Sequence, residues 1–457
     1  MKKTIFAFLS LSAAALFADP SISDDIVVTQ ADDGTVTVDY ELKGGPAVVT
    51  MDVKVSSGGS WASVGDENLW SVVGDVNRKV ANGNGRIVWK PSVTFGSSLK
   101  PDGMKVVLTA WPMDDTPDYL VADLAVTAAD RIRYYASSNA LPGGLLDNLE
   151  YRTSKLVMRK VPAKGVTWKM GTTTEWGRSA SDGRETQFNV TMTNNNYIGV
   201  FEMTYAQCAM SLNSAWNYGF FTNDVPMRPV INVNFGNIRG TSSTVSDNTK
   251  YYPNPPGSGS ILNKLRTLTS LDFDLPSVAQ WEYACRAGNG ENTWGDGSAF
   301  AKTTTDANLS RLARYSGTHG YPKSGDENYG NTKTNLWTAA NGTAIVGSYA
   351  PNDWGLYDMH GNVGEICLDY YSNDAAFIES QIAYGGEPNC NGNMKFKNGD
   401  SAAKTGGTHG SNGQHLYCGG YWTSGSNGCR ASARAYVSES NGYNFIGLRV
   451  VCRAGLK

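Results

Sequence analysis

Leu275-Pro276-Ser277-Val278-Ala279-Gln280-Trp281-Glu282-Tyr283-Ala284-Cys285-Arg286-Ala287-Gly288 carries its own start, face and stop. Ser277 is of the type that caps a helix N-terminus, because its hydroxyl can accept from a free N–H of the first turn. Val278, Trp281 and Cys285 follow at spacings of three and four and share one face. Gly288 supplies the stop. Glu282 and Arg286 sit one turn apart and read as a structural ion pair, not an acid/base couple. The same pattern recurs twice upstream. Tyr205, Cys208, Ala209 and Leu212 share a face behind Thr204, and Ile261, Leu265 and Leu268 do so after Ser260. The polar stretches Thr241 to Ser260 and Asn373 to His415 read as long surface loops.

Towards the N-terminus the period changes from helical to two. Thr35 to Tyr40, Val48 to Val55, Arg86 to Trp89, Lys105 to Trp111 and Tyr119 to Leu124 alternate apolar and polar. Asp33-Gly34, Gly44-Gly45-Pro46 and Asn82-Gly83-Asn84-Gly85 punctuate them as turns. This predicts an all-β antiparallel sandwich over residues 22–130. The strings Ser56 to Trp61, Gly74-Asp75-Val76 and Gly85 to Trp89 resemble immunoglobulin- or fibronectin-like modules. Residues 131–149, with Leu141-Pro142-Gly143-Gly144, read as a linker. Residues 1–18 read as a signal peptide, with Lys2 and Lys3 before the short apolar run Thr4 to Ala18. The expected location is therefore exported, periplasmic or secreted. No stretch is long and apolar enough to read as a transmembrane segment.

With 457 residues the chain exceeds one typical core. Lys+Arg is 39 and Asp+Glu is 42, a balance of 39 − 42 = −3, which argues against a nucleic-acid partner. Only 18% of residues are charged, while Gly numbers 51, a profile of loop-rich, β-rich proteins. Cysteines stand at 208, 285, 367, 390, 418, 429 and 452, an odd count that leaves at least one outside any pairing. The histidines, His319, His360, His409 and His415, show no zinc spacing with them.

Three further blocks follow the Leu275–Gly288 stretch in order. They are Asn352-Asp353-Trp354-Gly355-Leu356-Tyr357-Asp358-Met359-His360-Gly361-Asn362-Val363, then Gly419-Gly420-Tyr421-Trp422 with Cys429-Arg430-Ala431-Ser432-Ala433-Arg434, then Ile446 to Val451. Met170-Gly171 and Tyr197 to Tyr205 precede them, and Trp294-Gly295-Asp296 lies between. Together they resemble the formylglycine-generating enzyme (sulfatase-modifying factor) family over residues 150–457. The resemblance implies an α+β, C-type-lectin-like fold with little regular secondary structure.

That family oxidises a sulfatase cysteine with O₂ at a Cu(I) held by two thiolates, soft ligands suited to a soft ion. The resemblance puts those ligands at Ser424 and Cys429, so the first position carries a hydroxyl and only Cys429 remains as a catalytic thiol. It also implies calcium at Asp358, Gly361, Val363 and Glu365, an all-oxygen set suited to a hard cation. A second calcium site would use Asn308 and Leu309, with its acidic position falling near Thr338. Non-enzymatic relatives suggest a Cys285–Cys429 disulfide, with Cys418–Cys452 or Cys208–Cys452 as other pairings.

The expected function is a non-catalytic, lectin-like binding or accessory module. A copper-dependent oxidase and a diversified ligand-binding variable protein are the alternatives. The ligand would be a protein, peptide or glycan in an exposed groove lined by Trp422, Ser424, Ser426, Asn427 and Tyr443, since aromatic and small polar residues make an adaptable contact surface.

Overall fold

The computed structural model describes residues 19–96, 103–127, 130–173, 175–177, 185, 187–192, 194–212, 226–240, 255–318, 342–370, 388–389, 393–394 and 414–454. The expected signal peptide, His319, His409, Thr338 and Cys390 lie outside these residues, as do most of the two polar loops. The chain divides into two compact units, Met1–Thr116 and Pro117–Lys457.

In the first unit, Val36–Lys43 turns Val36, Val38, Tyr40 and Leu42 inward and pairs antiparallel with Gly83–Trp89. Ala47–Ser57 pairs along its length with Gly103–Pro112, from Ala47↔Pro112 to Ser56↔Gly103. The inner faces of these two sheets share one core, with Val38, Ile87 and Trp89 from one and Val49 and Val53 from the other. The Asn82–Gly85 run is not simply a turn: Gly83 opens the strand and Gly85 lies within it. A Cβ on Gly85 would stand 2.4 Å from the Tyr40 ring, so the glycine makes room for an aromatic crossing the strand.

The second unit begins earlier than its sequence texture suggests. Tyr119–Asp123, assigned above to the sandwich, pairs antiparallel with Lys155–Val161. Ile132–Tyr135, assigned to the linker, pairs with the other edge of Tyr119–Asp123. Alternation identifies a strand but carries no record of its partner, which is why the boundary moves to 116/117. The sheet continues through Asn196–Gly199 to Val451–Arg453, so the chain's last described strand closes on its middle. A second sheet runs Arg434–Ser438, Gln414–Cys418, Gly364–Tyr370, Ile446–Gly447. His415, expected in a loop, therefore lies in a strand. Strands outnumber helices among the described residues, and the unit is α+β.

The Val278–Arg286 helix forms as its sequence predicts. Ser277 Oγ accepts from Gln280 N at 3.2 Å, and Gln280 Oε1 accepts from Ser277 N at 2.9 Å. Asp369 accepts from Val278 N at 2.6 Å. Ala287 (φ 49°) takes the left-handed turn, followed by Gly288 (φ 88°). Val278, Trp281 and Cys285 enter a core with Met359, Cys367 and Cys418. Thr204 and Ser260 cap Tyr205–Leu212 and Ile261–Thr269, accepting from the Gln207 and Asn263 amides.

Two buried ionic systems bind this helix to the rest. In the first, Arg449 Nε and Nη2 hold Glu365 at 2.6–3.1 Å, and Trp281 Nε1 donates to the same carboxylate at 2.6 Å. In the second, Arg286 bridges Glu282 (2.9 Å) and Glu175 (3.2 Å), while Arg430 bridges Glu175 (3.1 Å) and Glu185 (2.8 Å). Arg434 adds a further contact to Glu282. Glu282 also accepts from Gly171 N, and Arg286 donates to Gly171 O, which clamps the Met170-Gly171 turn on the helix.

Removing one partner of a buried pair strands the other charge. Arg449→Leu is expected to cost about 3–5 kcal/mol in urea unfolding, and adding Glu365→Leu to recover much of it. A single variant as stable as the parent would contradict this account.

Candidate functional site

The described residues enclose a cavity of about 250 Å³ beside the Gly419-Gly420 turn. Its lining includes Tyr417, Tyr421, Ser424 and Asn427 together with Glu185, Arg430 and Arg434. Gly420 has φ 69°, and a Cβ there would meet Cys429 Sγ at 2.9 Å and Gly428 O at 2.8 Å. The turn can follow this path only without a side chain. Ser424 N donates back to Tyr421 O at 2.7 Å, and Ser424 Oγ accepts from Tyr421 N at 2.9 Å. The loop is thus locked by its own short-range bonds.

Ser424 and Cys429 do not form a pair of ligands. Ser424 lines the cavity and is half-buried. Cys429 is fully buried among Trp294, Phe300, Leu309, Leu312, Ala313 and Tyr315. Burial pushes its thiol up to about 12, so it stays protonated near neutrality. One hydroxyl and one buried thiol supply at most a single sulfur, where Cu(I) calls for two thiolates.

The expected Cys285–Cys429 disulfide is also absent. The six described cysteines are free and buried. Cys285 Sγ lies 3.6 Å from Met359 O and 3.8 Å from both ring nitrogens of His360. The same imidazole bonds Cys429 O through Nδ1 at 2.8 Å. The two cysteines thus contact different groups, with His360 touching both residues. Cys418 is not joined to Cys452 either; its sulfur lies 3.9 Å from Cys367 Sγ, beyond bonding distance. Cys208 is likewise unbonded to Cys452.

His360 also accepts from Gly295 N through Nε2 at 3.0 Å, so both ring nitrogens serve the backbone. Bonding at Nδ1 to a carbonyl fixes the neutral tautomer with its proton there. Burial lowers its pKa to about 4.

The four expected calcium positions fall in one short segment, Asp358 to Glu365. Asp358 is buried with φ 58°; its Oδ2 accepts from Gly347 N at 2.7 Å, while Oδ1 has no partner. Glu202, unnoticed in the sequence, is wholly buried beside it and accepts from Asn362 Nδ2 at 2.5 Å and Val363 N at 3.1 Å. Burial, then the neighbouring Asp358 and Glu365 charges, raises Glu202 well above the usual carboxylate range. Burial raises Asp358 to about 6. Three carboxylates here face one guanidinium, Arg449. The orphaned Asp358 oxygen fits a hard cation, and Gly361 and Val363 lie in the same turn. Glu365 fits it less well, because Arg449 engages both its oxygens. Of the second expected site, Asn308 donates to Ala299 O, and Asp306 accepts from the Asn308 and Leu309 amides. Those groups serve a local turn.

Of the expected ligand surface, Ser424 and Asn427 line the cavity. Trp422 is buried and donates to Asn444 O, and Ser426 is buried and donates to Thr303 O. Tyr443 is half-buried and packs on Phe445 with centroids 5.2 Å apart. Sequence reasoning missed Tyr417, Tyr421 and Phe445, and the acids Glu175, Glu185 and Glu202. Three arginines of the blocks, Arg286, Arg430 and Arg434, required buried acidic partners besides the Glu365 that Arg449 holds. That requirement was the available signal for the first two acids.

A family model described as the sulfatase-modifying factor enzyme 1-like domain matches residues 185–454. A formylglycine-generating enzyme of Thermomonospora curvata is 33% identical over 108 residues, which are 23% of this chain and 30% of that enzyme. The serine/threonine-protein kinase pkn1 of Chlamydia pneumoniae is 48% identical over 50 residues, 11% of this chain and 8% of that kinase. The chain thus matches less than a third of either relative. Among solved structures, PvdO from Pseudomonas aeruginosa gives a TM-score of 0.43 at 19% identity, covering 65% of this chain and 94% of that one. Treponema denticola variable protein 1 gives 0.38 at 18% identity, covering 65% and 95%.

The low pKa of His360 has a consequence for stability. Between about 4 and the ordinary 6.5 the unfolded chain binds a proton that the folded chain refuses. This contribution is complete above pH 6.5 and is lost as pH falls towards 4, by about 3 kcal/mol in all. His360→Gln keeps a donor and an acceptor but cannot be protonated. Urea midpoints from pH 7.5 down to 4.5 should fall more gently in the variant than in the parent. Parallel slopes would contradict the assignment.

Proposed function

The chain belongs to the sulfatase-modifying factor enzyme 1-like family, and from that premise we propose that its second unit is a non-catalytic binding or accessory module on the family scaffold. The observation that carries this reading is the fate of the two thiol positions. Ser424 supplies a neutral alcohol at the cavity, and Cys429 supplies a single buried thiol packed with apolar residues. Copper(I) would find no pair of thiolates there. A cavity lies at the Ser424 position, and its Ser, Asn and Tyr lining suits recognition. We further read the chain as exported, from its N-terminal charge-then-apolar order, and its first unit as a spacer that carries the module.

Calcium is the metal we assign to this reading, as a structural ion held by the Asp358 carboxylate with the main chain at Gly361 and Val363. The support is the unpartnered Asp358 oxygen and the excess of buried carboxylate over guanidinium around it. When bound, the ion would neutralise that excess and brace the turn between the two sheets. Arg449 keeps Glu365 in its ion pair.

Two measurements test these proposals. Purified protein incubated with Cu(I) and a peptide containing Cys-x-Pro-x-Arg should leave the cysteine unchanged by mass; conversion to the aldehyde would end the non-catalytic reading. Millimolar calcium should raise the melting temperature relative to excess chelator, and Asp358→Asn should abolish that difference. Equal melting of the parent in calcium and in chelator would remove the ion from the account.

A further inference from the structure

The charges that wall the cavity are already spent on each other. Arg430 donates from all three guanidinium nitrogens, to Asn427 O, Glu175, Glu185, Ser432 and Gly177 O. Glu185 receives Arg430 at both oxygens, 2.8 and 3.1 Å. Arg434 is paired with Glu282. An anionic ligand would compete with Glu185 and Glu282 for these cations, and a cationic one with the arginines for the acids. The wall therefore favours an uncharged ligand.

The lining also contains aromatic rings held in place by one another. Phe445 stacks on Tyr421 with centroids 4.3 Å apart and planes at 28°, and Tyr443 packs on Phe445 at 5.2 Å. Tyr417 lies 6.4 Å from both Tyr421 and Phe445. The plane of Tyr421 is thus set before any ligand arrives, which lowers the ordering cost of binding. Beside it stand short polar groups: the Ser424 hydroxyl, tied to Tyr421 N, and the exposed Asn427 amide.

We infer that this cavity binds one ring of a neutral saccharide, its C–H face against Tyr421 and its hydroxyls at Ser424 and Asn427. The inference rests on the binding reading proposed above and specifies its ligand. A pyranose is apolar on one face and hydroxylated at its edge, and so matches an aromatic wall with a polar margin. A purely apolar side chain would leave the margin unpaired, and a charged one would meet compensated walls.

The test uses the full chain in titration calorimetry and saturation-transfer NMR. The probes are neutral gluco-, manno-, galacto- and xylo-trisaccharides, a uronic-acid trisaccharide and the Cys-x-Pro-x-Arg peptide. At least one neutral sugar should bind, and raising salt tenfold should change its Kd by less than about twofold. Tyr421→Ala should weaken binding by about tenfold or more, whereas Tyr421→Phe, which keeps the ring face, should stay within about threefold. Tyr436→Ala, an exposed aromatic outside the cavity lining, should leave binding unchanged. Melting curves establish that each variant is folded. Binding of no neutral sugar, preference for the uronic acid with steep salt dependence, binding of the peptide alone, or full affinity in Tyr421→Ala would each overturn the inference. Failure here without aldehyde formation leaves the non-catalytic reading standing; aldehyde formation strikes that reading whatever the sugars do.

Discussion

Arg449 is fully buried, and its three guanidinium nitrogens all have partners. They hold Glu365 and the carbonyls of Gly199, Val200 and Tyr357. Those partners come from separate parts of the second unit: the end of the Asn196–Gly199 strand, the turn before Asp358 and the start of the Gly364–Tyr370 strand. Trp281 adds the capped helix through the same carboxylate. A scaffold with so little regular structure cannot rely on long ladders or helix stripes to fix its loops. A buried charge with several obligatory partners does that instead, because any misplacement leaves an unsatisfied ion in a low-dielectric interior.

The second ionic system works in the same way nearer the cavity. Glu185, Arg430, Glu175, Arg286, Glu282 and Arg434 alternate in sign, three of each, so the chain of contacts is balanced. It ties the Met170-Gly171 turn, the helix and the Cys429–Arg434 segment together. The cavity inherits its floor from this arrangement: groups that might have offered charge to a ligand are consumed in holding the walls. What remains available is neutral, aromatic and hydroxylic.

Near Asp358 the balance is different. Glu202, Asp358 and Glu365 stand around a single arginine, and burial with mutual repulsion raises Glu202 and Asp358 above their ordinary range. The surroundings of the Asp358 turn therefore carry more carboxyl groups than arginines, a few residues from the neutral imidazole of His360. Compensated charge at the cavity and uncompensated charge at the Asp358 turn give the two regions of one domain opposite chemistry.

The sequence by itself determined the helix at Val278–Arg286, with its cap and buried face, the Glu282–Arg286 pair and the strands of the first unit. Each depends on residues within a turn or on a period of two, and such relations are local. The ordered blocks also carried the family. The sequence could not assign Tyr119–Asp123 to a sheet, since alternation is the same whichever partner a strand finds. It could not orient Cys429: a thiol, a metal ligand and half of a disulfide are written with the same letter. Only the tertiary structure decided that this sulfur packs against Gly420 and Trp294, that Trp422 and Ser426 are interior, and that Glu202, some 160 residues from its amide donors, lies beside Asp358. Those outcomes depend on which distant groups are brought together in a low-dielectric interior, and local pattern contains no term for that.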